Sequence, residues 1–535
     1  MLKKLLNGKS KTITSAAIIL GAASLFSRLL GILRDRILAG EFGAGAELDI
    51  YYAAFRIPDL IFNLLVLGAL SAGFIPVFTG YLRSKAKAWE LVNVLFNVML
   101  ISLIIVVVLL IILAPWLVRV ITPGFTAEQL ELTAAMTRIM LLSPIFLAIS
   151  GIFGSVLQSL KRFFVYSTAP IMYNIGIIIG ALFFVRYFGI FGLAWGVVFG
   201  AFMHMIVQVL TVFGAGYRYR WSFDIKNKGL TTVFKMMVPR TLSLMVSQIN
   251  FLVITIIGST LAAGSIAIFN LANNIQSFPL GIFGISFAIA SFPTLSELAR
   301  KKKQFIDTLS LTIRQILFFI IPTSALLIIL RAQIVRIILG SGRFDWEDTV
   351  LTLEALSFFA FSLFAQSLIL VMARAFYAKK DSKTPFYIGL ISAAANIILA
   401  VYLIDSLGVI GLALAFSLAN ILNFVLLSII LHYRLGSLDG QKITVSTLKI
   451  IAATFMLGIF AQAIKYPISQ AFGTQTFIAV SLQAALATAG GIGIYLLTCW
   501  ALKSEELGII TSSLKKKLVK RPVLAEEIIE KDKLT

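Results

Sequence analysis

Charge is scarce in this chain. Only 13% of its 535 residues are Asp, Glu, Lys or Arg, while 59% are hydrophobic; soluble domains carry about 25% charged residues. With a mean hydropathy of +0.97, the composition excludes an ordinary soluble protein and indicates an all-α polytopic membrane protein. The single cysteine, Cys499, excludes an internal disulfide and any cysteine-based metal site. The two histidines, His204 and His432, lie far apart in sequence and suggest no ligand pair. Nowhere is there a phosphate-binding glycine loop, a nucleophile–base constellation or a metal-ligand spacing. Covalent turnover by an enzyme is therefore not expected, nor any bound cofactor. Acid is also short, with 24 Asp and Glu against 46 Lys and Arg, a net charge of +22. These basic residues lie in short clusters between apolar spans, not on one soluble face, so nucleic acid is not the expected partner.

What remains is a succession of long apolar runs. A span needs about 20 mostly apolar residues. The runs predict about fourteen helices, near 14–38, 48–80, 89–121, 127–159, 163–186, 189–216, 230–260, 264–299, 304–339, 347–378, 384–405, 408–432, 443–465 and 473–502. The opening "MLKKLLNGKSKT" and the apolar run after it imitate a secretory signal, but a first span retained from Thr14 is expected. Loop charge provides an independent check. Alternate connections are basic: Lys3 to Lys11, Arg83 to Lys87, Lys161 and Arg162, Arg218 to Lys228, Arg300 to Lys303, Lys379 to Lys383, Arg434 with Lys442, and Lys515 to Arg521. The intervening ones hold Glu41, Glu47, Glu128, Glu131, Asp345, Glu347, Asp348 and Asp405. This predicts a multi-pass protein of the inner, cytoplasmic membrane with both termini in the cytoplasm.

The chain also repeats itself at about 217–222 residues. "GFIPVFTGYLRSK" from Gly73 parallels "ASFPTLSELARKK" from Ala290, and "GIFGLAWGVVFG" parallels "GVIGLALAFSLA". Two six-helix lobes of like orientation follow, as in two-lobed transporters. The expected division is a basic N-terminus 1–13, an N-lobe 14–228, a C-lobe 229–435, a helical pair 436–503 outside the repeat, and a cytoplasmic tail 504–535.

Charges inside the spans are the candidate functional residues, because an ionisable group at membrane depth costs about 2.5–3.5 kcal/mol and usually faces a cavity or a partner. Ser24, Arg28, Gly31 and Asp35 share one face of the first helix, with Ser27 and Arg34 on an adjacent stripe. The second helix adds Asp49, Arg56 and Asp59; Arg56 and Asp59 are spaced to pair. Arg138, Arg240 and the amides Asn270, Asn273, Asn274 and Gln276 follow. Arg314, Arg331 and Arg374 are expected to snorkel towards an interface. Since arginine keeps its charge when desolvated and grips phosphate bidentately, a cationic cleft between the lobes suits an anionic, phosphate-bearing substrate.

"SRLLGILRDRILAGEFGAGAELDIYYAAFRIPD" (27–59) and "GALSAGFIPVF" (68–78) resemble the MurJ/MviN family of lipid II flippases, within the MOP exporter superfamily. "VPRTLSLMVSQIN", "FPLGIFGISFAIASFPTLSELA" and "RAFYAKKDSKTP" extend the resemblance to about residue 440. It implies alternating-access movement of a polyprenyl-diphosphate-linked peptidoglycan precursor to the outer leaflet. Helices 13 and 14 are implied to form a groove for the lipid tail. Membrane lipids, and a cell-wall synthesis machinery, are the other partners it implies. By position, Arg28 and Arg34 match the family's cavity arginines and Asp49 its second-helix acid, while Phe62 and Asn274 stand where the family usually has arginines. The substrate-binding candidates are thus Arg28, Arg34, Asp49, Arg56, Ser27, Arg240 and Asn274. A flippase for another polyprenyl-diphosphate glycan, or an ion-coupled drug exporter, stays open as an alternative, as does a coupling ion or the membrane potential as energy source.

Overall fold

A computed structural model describes residues 13–67, 73–473 and 476–512. Among these there are helices and no strands. Ten helices are long and apolar enough to cross a membrane. One of them, Lys383–Leu435, turns at Gly408 into two rods. With Ile13–Phe42, the segments Ala46–Leu67 and Ile75–Tyr81 counted as one, and Lys228–Ser259, the described rods reach the fourteen expected from the apolar runs. We number them α1 (Ile13–Phe42), α2 (Ala46–Ile61 and its continuation), α3 (Lys85–Ile121), α4 (Ala127–Ser159), α5 (Phe163–Phe188), α6 (Phe191–Phe213), α7 (Lys228–Ser259), α8 (Ser265–Arg300), α9 (Lys302–Ile329), α10 (Trp346–Ala378), α11 (383–407), α12 (409–435), α13 (Gly440–Phe472) and α14 (Phe477–Ala501).

Local chemistry sets the ends. "TAEQ" starts α4 as a capping box: Thr126 Oγ1 accepts from the Gln129 amide, and the Gln129 side chain accepts from the Thr126 N–H. Asn227 caps α7 by accepting from the amides of Gly229 and Leu230. Gly436, in the left-handed region, closes α12.

The sequence repeat has a counterpart in the backbone. Left-handed residues recur in pairs: Lys161 and Lys380 at φ +61° and +61°, and Gly189 and Gly408 at +55° and +54°, each pair 219 residues apart. The turns α5–α6 and α11–α12 therefore share one conformation, which at this φ favours glycine. A π-helical turn interrupts α2 at Phe62–Leu67 and α8 at Leu280–Ile285, 218 residues on. The two six-helix repeats are built alike, with α13 and α14 outside them.

Contacts group the chain into two units. The first comprises residues up to Ile275 with Ile338–Ala355 and Gly389–Ala419; the second comprises Gln276–Ile337, Leu356–Ile388 and Asn420 onward. In the first unit, Phe74, Phe78, Leu91, Leu95, Phe153 and Tyr217 centre a buried core. Gly196 and Gly200 of α6 meet Gly180 and Gly176 of α5, and Gly192 meets the backbone of Phe184 and Val185; a β-carbon at any of them would overlap the facing backbone.

In the second unit, Phe305, Phe318, Phe376, Leu431 and Tyr495 lie in the core. Arg314 does not snorkel. It is buried and donates to Glu505 Oε2 (2.8 Å) and Glu506 Oε1 (2.7 Å), in the segment just past α14. Glu506 also accepts from Ser446 of α13 and from Ser504. The charged tail thus begins as a docked helix, 505–512; residues from 513 on, like the basic N-terminus, lie outside the described residues. Burial alone would raise the Glu506 pKa, but hydrogen bonds from Ser504, its own backbone and Ser446, with the attraction of Arg314, outweigh it and hold it below the usual range. A depressed pKa stabilises the docked segment above the unfolded value, about 4.3, and that contribution is lost as pH falls through the lower folded value. Amide exchange over 504–512 is expected to accelerate on acidification below about pH 4. Glu506→Gln should exchange fast at every pH; a variant as protected as the parent at pH 7 would contradict this docking.

Candidate functional site

Two features stand out in the first unit: a polar latch at one end of the bundle, and a cavity beside α1. The latch forms where the turns at 43–45, 260–264 and 339–346 meet. Asp49 of α2 is buried and accepts from the amides of Gly264 (2.6 Å) and Ala267 (2.8 Å). It caps the start of α8, where an anion faces the positive end of the helix dipole. The Ala44 amide donates to Asp348 Oδ2 (2.9 Å), and the Arg343 amide to the Gly40 carbonyl (2.8 Å). Arg343 also pairs with Glu47 across 3.6 Å.

Deeper in, Arg34 donates to Asp35 Oδ1 (2.7 Å) and to Asn174 Oδ1 of α5 (3.2 Å). Asn174 in turn donates to Ser27. The second Asp35 oxygen accepts from Asn274 of α8 at 2.9 Å. Arg56 does not pair with Asp59. It turns to Thr255 of α7 and Asn270 of α8, each at 2.7 Å, and lies over the Phe251 ring. Both partners are neutral, so the guanidinium is held in place with its charge uncompensated by them.

The cavity is separate. About 480 Å³ in volume, it is lined by α1, α2, α4, α5 and α6, all from the first repeat. Ser24, Ser27, Arg28 and Phe62 line it from α1 and α2. Among the described residues, Arg28 borders this cavity, while Arg34 and Arg56 belong to networks that reach α8. Ser27 joins the two, lining the cavity and accepting from Asn174. Arg138, one of the charged candidates within the spans, is exposed and donates to the Ile111 carbonyl. Arg240 lies in α7, but its side chain is outside the described residues.

Neither Thr255 nor Asn174 emerged as a site residue from the sequence. A lone amide inside an apolar run, as in "MYNIGIIIG", is the available signal, because at membrane depth it requires a partner. Asn396 donates to Asn250 of α7 (2.7 Å), a bond that ties α11 to α7. In the second unit a groove of about 880 Å³ is lined mainly by apolar side chains of α9, α10, α12 and α13, including Leu317, Phe361, Phe364, Phe424 and Ile451. No residue of α14 lines it, in contrast to the groove expected from helices 13 and 14.

The Asp49 cap carries an expected result. Two hydrogen bonds to a buried carboxylate contribute about 1.5–3 kcal/mol each. Asp49→Ala should lower the melting temperature by several degrees and loosen the latched end. A cysteine at the buried position Ala44 should then react with a water-soluble maleimide; equal protection with and without Asp49 would argue against the cap's role.

The sequence between residues 38 and 483 matches the family model described as "Lipid II flippase MurJ". A Rhizobium tropici protein named "Probable lipid II flippase MurJ" is 28% identical over 531 residues, 95% of this chain and 97% of its own. A protein of the same name from Thermotoga maritima is 30% identical over 485 residues, 90% and 95% of the two chains. Among solved structures, a lipid II flippase MurJ in an inward closed conformation superposes with a TM-score of 0.74 at 26% identity, over 90% of this chain and 98% of that one. A MATE-family multidrug transporter of the MOP superfamily, at 15% identity and TM-score 0.65 over 79% and 99% of the chains, shares the fold. The chain is a multi-pass membrane protein that belongs to the lipid II flippase MurJ family.

Proposed function

We propose that this protein moves lipid II, a polyprenyl-diphosphate-linked peptidoglycan precursor, from the inner to the outer leaflet of the cytoplasmic membrane. One observation carries the reading beyond family membership: three arginines at membrane depth lie on α1 and α2, and the hydrogen-bond partners of Arg56 are neutral. A buried guanidinium whose hydrogen-bond partners are neutral suits a diphosphate. Alternation of basic and acidic loops assigns the latched turns to the outer face and both termini to the cytoplasm. In this conformation the latch closes the outer end. Opening it would part Asp35 from Asn274 and Arg56 from Asn270 and free the Arg56 guanidinium for substrate.

The apolar groove suits the polyprenyl tail, and the headgroup would cross inside the protein. The task is transport, without covalent change to the lipid. An inside-negative membrane potential favours outward passage of the diphosphate by about 2.3 kcal/mol per charge per 100 mV, so it is the proposed energy source. Expression in a bacterium depleted of its own lipid II flippase should restore growth and surface exposure of lipid II. Unrestored growth, with rescue of export of another polyprenyl-diphosphate glycan, would transfer the same mechanism to that substrate.

A further inference from the structure

The connection between α6 and α7 joins the two repeats, and the flippase reading gives it no task. From Tyr217 to Lys226 it reads "YRYRWSFDIK", apolar or aromatic residues alternating with polar ones, and no helix forms in it before Lys228. An alternation of period two sorts the side chains to opposite sides of an extended strap.

The first half of the strap is built into the protein. Tyr217 is buried among the rings of Trp89, Phe153 and Phe213, with centroids 5.3–5.5 Å away. Its hydroxyl donates to Asn93 Oδ1 of α3 (2.6 Å), and the Arg220 amide donates to the same oxygen (3.2 Å). One turn further along α3, Asn97 accepts from the Tyr219 hydroxyl (2.9 Å) and donates to the Ser222 carbonyl (2.9 Å). The second half keeps the alternation but presents it outward. Trp221, Phe223 and Ile225 are 69%, 47% and 64% exposed. Arg218, Arg220, Lys226 and Lys228, all exposed, stand among them with one acid, Asp224. An exposed apolar row rimmed by cations marks an interaction surface.

The anchor on α3 sets the depth of this surface. Large apolar side chains of α3 are exposed from Ile104 to Val120, a band about 24 Å tall, close to the ~30 Å of a hydrocarbon core. Asn97 precedes Ile104 by about 10 Å along the axis, which puts the strap in the headgroup layer.

We propose that the strap docks on the anionic headgroup layer of the bilayer. Trp221, Phe223 and Ile225 enter the boundary of the acyl chains, where tryptophan is favoured, and Arg218, Arg220 and Lys226 take lipid phosphates. The excess of cations selects an anionic lipid over a neutral one. On the orientation proposed above, this is the cytoplasmic leaflet. Because its anchors lie on α3, the link between the repeats stays with the first repeat and with that leaflet.

A bimane fluorophore on Phe223→Cys tests it, since the native Cys499 is buried. The full-length protein is placed in vesicles of phosphatidylglycerol and phosphatidylcholine in equal parts, with one lipid or the other brominated high on its acyl chains. Both should quench the label, and brominated phosphatidylglycerol should do so about threefold more strongly or better, because each cation near an anionic surface is worth about fivefold. Replacing Arg218, Arg220 and Lys226 together by Gln should bring the ratio down to about one. Trp221→Cys, also at an exposed position, carries the same label if Phe223→Cys does not fold. Equal quenching by the two lipids in the parent would overturn the anionic preference. A label reached by aqueous iodide and by neither lipid would overturn the docking itself and leave the row to a soluble partner.

Discussion

Oxidation of a Gly40→Cys/Ser341→Cys variant is expected to stop transport, and reduction to restore it. A β-carbon at Gly40 would lie 3.6 Å from Ser341 Cβ, within the ~3.5–4.5 Å that a disulfide spans. Neither residue contacts the cavity, so loss of transport would follow from tying α1 to the turn before α10. Cys499 is buried and free, so it should not compete for the bridge. The two repeats can exchange access only if this end opens, and a covalent bond there removes the outward-facing state from the cycle. Growth of a flippase-depleted cell on the cross-linked form should fail; the single variants should support it. Normal transport by fully cross-linked protein would exclude rocking of the repeats and favour a non-transporting scaffold.

Arg28→Ala should be almost as severe. A bidentate contact between guanidinium and phosphate replaces two charge-assisted hydrogen bonds, each about 1.5–3 kcal/mol. Its loss is expected to slow transport by on the order of a hundredfold or more. Arg28→Lys keeps the charge but loses the fork, and should retain an intermediate rate. Arg34→Ala should also fail, with a second signature: it removes a bond to Asn174 and frees Asp35, so the latched end should change its accessibility too. Transport at parental rate in Arg28→Ala, measured with labelled lipid II in vesicles, would show that the diphosphate is held elsewhere.

Much of the architecture was legible in the sequence, because long apolar runs and alternating loop charges are one-dimensional signals. The fourteen rods, the repeat and its turn at Gly408 could all be read that way. The partnerships could not. Arg56 and Asp59 are correctly spaced to pair, yet the hydrogen-bond partners of Arg56 come from α7 and α8, about 200 residues on. Asp49 reads as a substrate acid, but its oxygens cap α8. Arg314 reads as a snorkelling cation until Glu506 is brought under it by the fold. Each case depends on a tertiary neighbour for which the local pattern has no marker. The polar face of α1 can be read from residue spacing; the wall that the first repeat builds beside Arg28 cannot.

The paired π-helical turns of α2 and α8 carry a further consequence. Such a turn accommodates one residue more than an α-helical ladder would hold, and each residue of an α-helix advances the azimuth by about 100°. Deleting a single residue within Phe62–Leu67, or within Leu280–Ile285, would let the ladder close and would swing everything downstream by roughly that angle. Pro76 and Pro293 would then face new neighbours while Asp49, Arg56 and Asn274, upstream of the two bulges, kept theirs. The surplus residue acts as a phase setting between the stretches before and after it in each rod, and it is held in duplicate.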